Sequence, residues 1–433
     1  MNALARSFLA GEQTVEAVAE RGAVLLGRPW RWINPLARRY VETFAWRVRP
    51  RHRDVVAFLL ADAGFKRAWT RHFNNLSVEG WLTGPQRMQP VAAAAGWSLP
   101  TIESVGALAD WLHLTVADLQ WFADLKGLGG KRSDPRLTHY HYRLLAKKSG
   151  KLRLIEAPKP RLKQIQRQML SEILDKIPVH AAAHGFVKGR SIKTFATPHI
   201  GQSVVVRMDL QDFFPSFAAR RIQAFFRTVG YPESVADLLG GLATNAARFN
   251  AGQDAEIDPS QLKAARALYA RPHLPQGAPT SPALANLCAY RLDCRLSALA
   301  QKAGATYTRY ADDLAFSGDG DFKKRAERFT TYAAAIALEE GFQVNHHKTR
   351  IMSQGVRQHL AGLVTNERLN VGRAEVDRLK AILTNCVRQG AAQQNREGHA
   401  DFRAHLAGRV GFVVTINAAK GARLRRVFEQ IEW

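Results

Sequence analysis

Cysteine is scarce in this chain: 433 residues carry three, Cys288, Cys294 and Cys386, and no two of them form a Cys-x-x-Cys pair. That spacing speaks against a disulfide framework and against a structural zinc site, and it leaves a reduced cytoplasm as the expected compartment. Long apolar runs are missing too. No stretch approaches the ~18 residues that a membrane-spanning helix requires. The N-terminal segment MNALARSFLAGEQ is cut by Arg6 and ended by Glu12, so it does not read as a signal peptide. Acidic residues are in short supply. Lys and Arg total 62 against 37 Asp and Glu, which leaves a net charge of +25. Such an imbalance implies a polyanionic partner. Nucleic acid is the first candidate, and without a spanning segment or signal a membrane surface falls behind it. Tryptophan is absent over most of the length: eight of nine lie between Trp30 and Trp121, and the ninth is Trp433.

What is present is enough for a folded core. Hydrophobic residues make up 46% of the chain, and at roughly 150 residues per domain two or three domains are expected. The tryptophan distribution sets residues 1–125 apart as a helical N-terminal domain. Ile102, Val105, Leu108 and Leu112 follow helical spacing, and Thr115 with Asp118 resembles a capping box before a second short helix. Such a pair is either a packing pair, the commoner case, or a groove-reading helix-turn-helix. Arg38, Arg39, Arg47, Arg49, Arg51 and Arg53 form a basic cluster, read as a solvated helix face or as phosphate contacts. The segment LKGLGGKRSDP reads as a linker. It lacks the glycine spacing and the hydroxyl after Lys131 that a phosphate-cradling loop needs. Between Lys131 and Leu170 there are twelve Lys/Arg and two acids. Within that stretch KKSGKLRLIEAP reads as two strands joined at Ser149-Gly150.

Three segments carry candidate chemistry. In VVVRMDLQDFFPSF the valines Val204, Val205 and Val206 form a β-prone run that delivers Asp209 at its end. In TYTRYADDLAFSG two β-prone runs flank Ala311-Asp312-Asp313, as in a hairpin with acids at its tip. In LPQGAPTSPALANLCAYRL, Pro275-Gln276-Gly277 is turn chemistry, Ser281-Pro282 starts a helix, and Cys288, Leu292, Leu296 and Leu299 give one apolar face. Taken singly, each has an ordinary structural reading: turn former, helix cap, loop residue. Taken together, they describe a site for Mg²⁺. That ion prefers hard oxygen ligands and keeps several waters, so a few carboxylates plus substrate phosphates suffice. Two such ions stabilise both oxygens of an in-line phosphoryl displacement. The paired histidines His139/His141 and His346/His347 lack a third ligand at useful spacing and read as nucleic-acid contacts or surface groups.

The segments RMDLQDFFPSF, LPQGAPTSP, YADD and GFQVNHHKTRIM occur in the order of the palm motifs of reverse transcriptases. The resemblance runs from about Arg136 to Trp433. IEAPKPRLKQIQRQML, AAHGFVKGRSI and KGARLRRVFEQIEW are similar to bacterial retron reverse transcriptases in particular, and the Trp-rich leader resembles an N-terminal extension that some of them carry. This resemblance implies an α+β right-hand polymerase: fingers and an antiparallel palm sheet over 126–365, a helical thumb over 366–433, and the helical domain 1–125 in front. It implies that Asp209, Asp312 and Asp313 bind two Mg²⁺ ions, and that Lys348 protonates the pyrophosphate leaving group. Phe214, five residues after Asp209, matches the aromatic that excludes a ribose 2′-OH. Gln276 and Gly277 match the turn that contacts incoming nucleotide and template. Arg153, with Lys147, Lys148 and Lys151, matches the residues that hold the triphosphate.

The implied activity is RNA-directed DNA synthesis from dNTPs. A structured non-coding RNA would serve as template and primer and would be copied into a small RNA-linked DNA held as an RNA–DNA hybrid. A role in antiphage defence with an effector protein is also implied, and no membrane is involved. Two motifs depart from the retron pattern. Where that group has Asn-Ala-x-x-His, this chain has Phe195-Ala196-Thr197-Pro198-His199; where it has Val-Thr-Gly, this chain has Leu360-Ala361-Gly362. Both motifs are associated with recognition of the cognate RNA. Another bacterial reverse transcriptase, of the group II intron or diversity-generating type, is the nearer alternative. The roughly 65 residues after the primer-grip region leave no room for a maturase or endonuclease domain, which argues against the full intron type. A non-catalytic RNA-binding protein on the same scaffold is the more distant alternative, and the intact Asp209, Asp312, Asp313 and Gln276 argue against it.

Overall fold

The computed structural model describes residues 1–45, 50–80, 87–128, 138–146, 151–249 and 258–433. The chain forms two compact units, each built from two stretches of sequence: Met1–Pro178 with Phe214–Cys288, and Val179–Phe213 with Ala289–Trp433.

The first unit begins with the helices Asn2–Leu9, Val15–Leu25, Ile33–Phe44, His52–Ala61 and Ala63–His72. Their shared core explains the aromatic content of the leader. Phe8 and Tyr40 rings lie 5.1 Å apart, Tyr40 and Phe44 5.2 Å, and Phe44 and Phe58 5.8 Å, while Trp30, Trp32 and Trp69 pack at its rim. Thr14 and Asp62 cap two of these helices by accepting from the backbone N–H groups of Ala17 and Phe65, three residues on. The basic cluster is partly consumed by packing. Arg39 makes a bidentate pair with Asp62 at 2.6 and 2.9 Å. Arg51 donates to Gln223 at 3.1 Å and lies 3.8 Å from Asp237; Arg47 and Arg49 lie outside the described residues. The expected second helix pair forms as Val105–Trp111 and Val116–Ala123, capped by Ser104 and Thr115. It is a packing pair: Leu108 and Leu119 are fully buried, and the Trp111 indole donates to Glu172 at 3.0 Å.

The two strands expected around residue 150 are β1 (Tyr140–Ala146) and β2 (Leu152–Pro158), antiparallel with Leu145 opposite Arg153; the joining residues 147–150 lie outside the described residues. Burial alternates along β2, so Leu152, Leu154 and Glu156 point inward while Lys151 and Arg153 are exposed. The Ser281 helix forms over Ser281–Cys288, but it ends there, and a separate helix runs Tyr290–Lys302. The single apolar face expected from Cys288 to Leu299 is therefore divided, with Leu292 and Leu296 buried in the later helix.

The second unit is built on a five-stranded antiparallel sheet. Its centre is β3 (Val204–Gln211), flanked by β4 (Ala305–Tyr310) and β5 (Asp313–Gly318) on one side, and on the other by β6 (Gln343–Val344) and β7 (Arg350–Ser353). Val204, Val205, Val206, Met208 and Leu210 are all buried, as a strand covered on both faces requires. Helices Tyr290–Lys302 and Gly320–Glu339 contribute to this unit, and Phe316 of β5 meets Phe329 edge-on at 4.9 Å. A small sheet follows: β8 (His359–Leu360), β9 (Leu363–Val364) and β10 (Asn370–Val371). Its first turn is Ala361-Gly362, with φ of 46° and 84°. Two positive φ values in a two-residue hairpin are what a tight primed turn demands, and they account for glycine in that Leu-Ala-Gly segment. The C-terminal helices Arg373–Gln389, Phe402–Ile416 and Ala418–Phe428 share a core that includes Leu379, Leu383, Leu406, Val410 and Leu424.

Candidate active site

Sheet register brings the acids together. Asp209 of β3 sits directly opposite Asp313, the first residue of β5, and Tyr310 closes β4 opposite the same Asp313. The strand β3 continues two residues beyond Asp209 rather than ending there. The β4–β5 turn is Ala311-Asp312, with Ala311 at φ 53°. The Asp312 carbonyl accepts from the Leu210 N–H at 2.8 Å, which stitches the turn to β3. Gly185 is the reason that turn can be approached closely: a Cβ there would come within 2.6 Å of the Ala311 nitrogen. Lys348, in the short turn His346–Lys348, donates to both Asp209 carboxylate oxygens at 3.0 and 2.9 Å. Its turn is anchored by the Asn345 N–H donating to the Asp209 carbonyl at 2.7 Å. Arg207, two residues before Asp209 on the same face of β3, reaches Asp313 at 3.3 Å.

Burial raises the proton affinity of this cluster. Burial, followed by the neighbouring Asp313 and Asp209 charges, pushes the Asp312 carboxyl up to about 6. Asp313 is also raised by burial, a shift opposed by Arg207 and reinforced by Asp209. Among the described residues no three His, Cys, Asp or Glu side chains converge as a ready-made metal cage; Asp209 is held by Lys348 and Asp313 by Arg207. The donor set nevertheless fits Mg²⁺, which takes one or two protein carboxylates and fills its remaining positions with water and phosphate. Carboxyls that bind protons more readily than usual are also carboxylates that gain from a cation.

A stability test follows from that strain. A carboxyl whose folded pKa stands above its unfolded value holds more protons when folded, so its penalty is fully present above pH ~6 and is relieved as pH falls toward ~4. In metal-free protein, Asp312→Asn is expected to raise the melting temperature near pH 8 and to leave it nearly unchanged near pH 4. Thermal melts across that range in chelator read the difference; equal melting temperatures at the higher pH would mean that Asp312 carries no strain.

The remaining expected residues belong to the first unit. Gln276 is half-buried, and its carbonyl accepts from the Glu156 N–H of β2 at 2.9 Å. Gly277 has φ 131°, and a Cβ there would meet the Glu156 carbonyl oxygen at 2.9 Å, so the turn lies flat against β2. Arg153 and Lys151 project from the exposed face of that strand, and Phe214 is half-buried; Lys147 and Lys148 lie outside the described residues. Beneath this turn is a network the sequence did not suggest. The fully buried Glu156 carboxyl accepts from Asn245 at 2.8 Å and faces His273 Nε2 at 2.9 Å, while His273 Nδ1 donates to the Arg271 carbonyl at 2.7 Å. Arg207 could have been found from its period-two spacing to Asp209. Glu156 and His273, 117 positions apart, offered no such signal.

A central antiparallel strand and a later hairpin thus juxtapose three carboxylates beside a lysine. Residues 145–377 match the family Reverse transcriptase (RNA-dependent DNA polymerase). The chain belongs to that family: it is an RNA-directed DNA polymerase with the α+β right-hand polymerase fold. Within it the chain stands with the retron reverse transcriptases. It is 43% identical to the retron Mx65 reverse transcriptase of Myxococcus xanthus, covering 77% of this chain and 73% of the relative. To the retron Mx162 reverse transcriptase of the same organism it is 38% identical, covering 77% and 68%. To the retron Ec86 reverse transcriptase of Escherichia coli it is 29% identical, covering 65% and 77%.

Proposed function

We propose that this reverse transcriptase copies part of a structured non-coding RNA, primed from within that RNA, into a small RNA-linked DNA. In this reading Asp209, Asp312 and Asp313 hold two Mg²⁺ ions. When bound, the ions supply charge neutralisation at the attacking and leaving oxygens of the phosphoryl transfer. Lys348 keeps a proton at Nζ for the pyrophosphate leaving group, and Arg207 holds Asp313 in place. Arg153 and Lys151, with Lys147 and Lys148, bind the dNTP triphosphate. Gln276 and Gly277 present the turn against which nucleotide and template pack, and Phe214 excludes a 2′-OH. Residues 126–365 act as fingers and palm, 366–433 as thumb, and 1–125 as an accessory helical domain. The product stays with its template as an RNA–DNA hybrid in the cytoplasm, where an effector protein would couple it to antiphage defence.

The observation that carries this reading is the cluster of Asp209, Asp312 and Asp313 at one end of β3 and β5, with Lys348 on Asp209. Support for the RNA-linked product comes from the resemblance to retron enzymes. The test is to sequence nucleic acid that copurifies with the full chain, before and after incubation with dNTPs and Mg²⁺. DNA joined to a discrete RNA is the expected result, and only unlinked DNA copied from arbitrary primed templates would reject it. Sugar choice tests Phe214. In Phe214→Ala the kcat/KM ratio for ribonucleotide over deoxyribonucleotide is expected to rise by roughly tenfold or more, because selectivity is a difference of transition-state energies. An unchanged ratio would assign Phe214 to packing.

A further inference from the structure

We propose that His199, in the segment Phe195–His199, is a positioning residue for catalysis that clamps the β4–β5 hairpin carrying Asp312 and Asp313, and not a contact for RNA.

His199 is fully buried. Its Nδ1 lies 2.6 Å from the Ser317 hydroxyl of β5, and its Nε2 lies 2.7 Å from the Thr308 hydroxyl of β4. The direction of each bond follows from the next one along. Thr308 Oγ1 donates to the Phe195 carbonyl at 3.0 Å, so toward the imidazole it accepts. Nε2 therefore carries the proton, and Nδ1 accepts from Ser317. The relay runs from Ser317 as first donor through His199 and Thr308 to the Phe195 carbonyl, which accepts, without a loose end. Burial pushes the imidazole pKa down to about 3, so the ring is neutral and the relay needs no charge.

The rest of the segment grips the same hairpin. The Phe195 ring packs 5.8 Å from that of Tyr310, the last residue of β4 before the Ala311-Asp312 turn. Upstream, the Arg309 N–H donates to the Ala182 carbonyl and its carbonyl accepts from the His184 N–H, each at 2.7 Å. His184 is tied in turn to Thr194 at 2.9 Å. The hairpin is thus held at Thr308, Arg309, Tyr310 and Ser317 by residues 182–199. It needs holding, because the two acids at its tip repel each other and Asp209. Carboxylates that must keep their geometry under mutual repulsion are set by their supporting hydrogen bonds. The fully buried Phe195 ring supplies its part of the grip by packing against Tyr310.

The inference rests on Asp312 and Asp313 being the catalytic carboxylates. The experiment compares full-length wild type, His199→Leu, His199→Gln, Ser317→Ala and Asp312→Asn. His199→Leu removes both bonds at similar volume, whereas His199→Gln can still donate toward Thr308 and accept from Ser317. Expected for His199→Leu is a kcat lower by about ten- to hundredfold at saturating template and dNTP, and a higher Mg²⁺ requirement. Its KM for dNTP and its Kd for the copurifying RNA should stay within about twofold. His199→Gln should recover most of the rate. In metal-free protein, hydrogen exchange at the amides of residues 308–317 should quicken in His199→Leu. Ser317→Ala, which removes a single hydroxyl and leaves the imidazole in place, should show the same kcat loss at unchanged RNA affinity. RNA affinity falling in step with activity would overturn the clamp in favour of RNA contact, and wild-type kcat in His199→Leu or Ser317→Ala would overturn it outright. An active Asp312→Asn would instead remove the carboxylate assignment, a failure distinguishable from either.

Discussion

Asp312→Asn is expected to reduce RNA-templated primer extension by roughly a thousandfold or more, equivalent to a barrier higher by about 4 kcal/mol. The substitution is nearly isosteric, so the β4–β5 turn keeps its backbone bond from Leu210 to the Asp312 carbonyl. What it removes is one negative charge from a cluster of three, and a divalent-ion site tolerates little loss of ligand charge. Asp209→Asn should be as severe, since it also releases Lys348 from its two carboxylate bonds. RNA binding should change little in both variants, because acids at this position would repel the RNA backbone and contribute nothing to holding it. Single-turnover extension on a primed RNA template, alongside a binding titration, separates the two quantities. Extension by Asp312→Asn within tenfold of wild type would sink the assignment.

The second large effect lies in the core beneath the hairpin. Arg309 and Asp293 are both fully buried and joined by two bonds of 2.7 Å, with the Tyr307 hydroxyl donating to the same carboxylate at 2.8 Å. The Arg309 guanidinium also donates to the Ala311 carbonyl at 3.2 Å, one residue before Asp312. Asp293→Ala would leave a guanidinium in the interior with no counter-charge. Breaking a buried pair in that way costs about 3–5 kcal/mol, which for a unit of this size is a melting temperature lower by roughly 10 °C. Replacing both partners by apolar residues should cost much less, because no charge is then stranded. Thermal melts of Asp293→Ala and of an Asp293→Leu/Arg309→Met double variant make the comparison. A double variant as unstable as the single one would show that the pair matters for packing shape and not for charge.

Much of the local structure of this molecule is legible in its sequence. The valine run before Asp209, the β-prone runs around Ala311-Asp312-Asp313 and those within Tyr140–Pro158 are local patterns, and strands formed over each of them. The order of the palm segments was enough to expect a right-hand polymerase. Local reading failed where two elements share one apolar period: the break at Ala289 interrupts a spacing that still looks continuous in sequence. The arginine cluster is divided, with Arg38 and Arg53 exposed and two others engaged by partners. Asp62 engages Arg39, and Gln223 and Asp237 engage Arg51, partners that no local pattern indicates. A charge run records how many cations there are, and their partners come from elsewhere in the chain.

Sequence alone supplied the candidates: three aspartates, a lysine, a turn, the order of the palm segments and a large excess of cationic charge. Side-chain type and strand period are local properties, and they survive without a fold. Tertiary structure alone decided how the site is held. Lys348 on Asp209, Arg207 on Asp313, the Arg309–Asp293 pair and the His199 relay join residues from 16 to 139 positions apart, as the shortest and longest of their bonds record. Such pairs exist only once the sheet has set its register. Their energy comes from desolvation and from the bond geometry that burial enforces, neither of which the unfolded chain possesses.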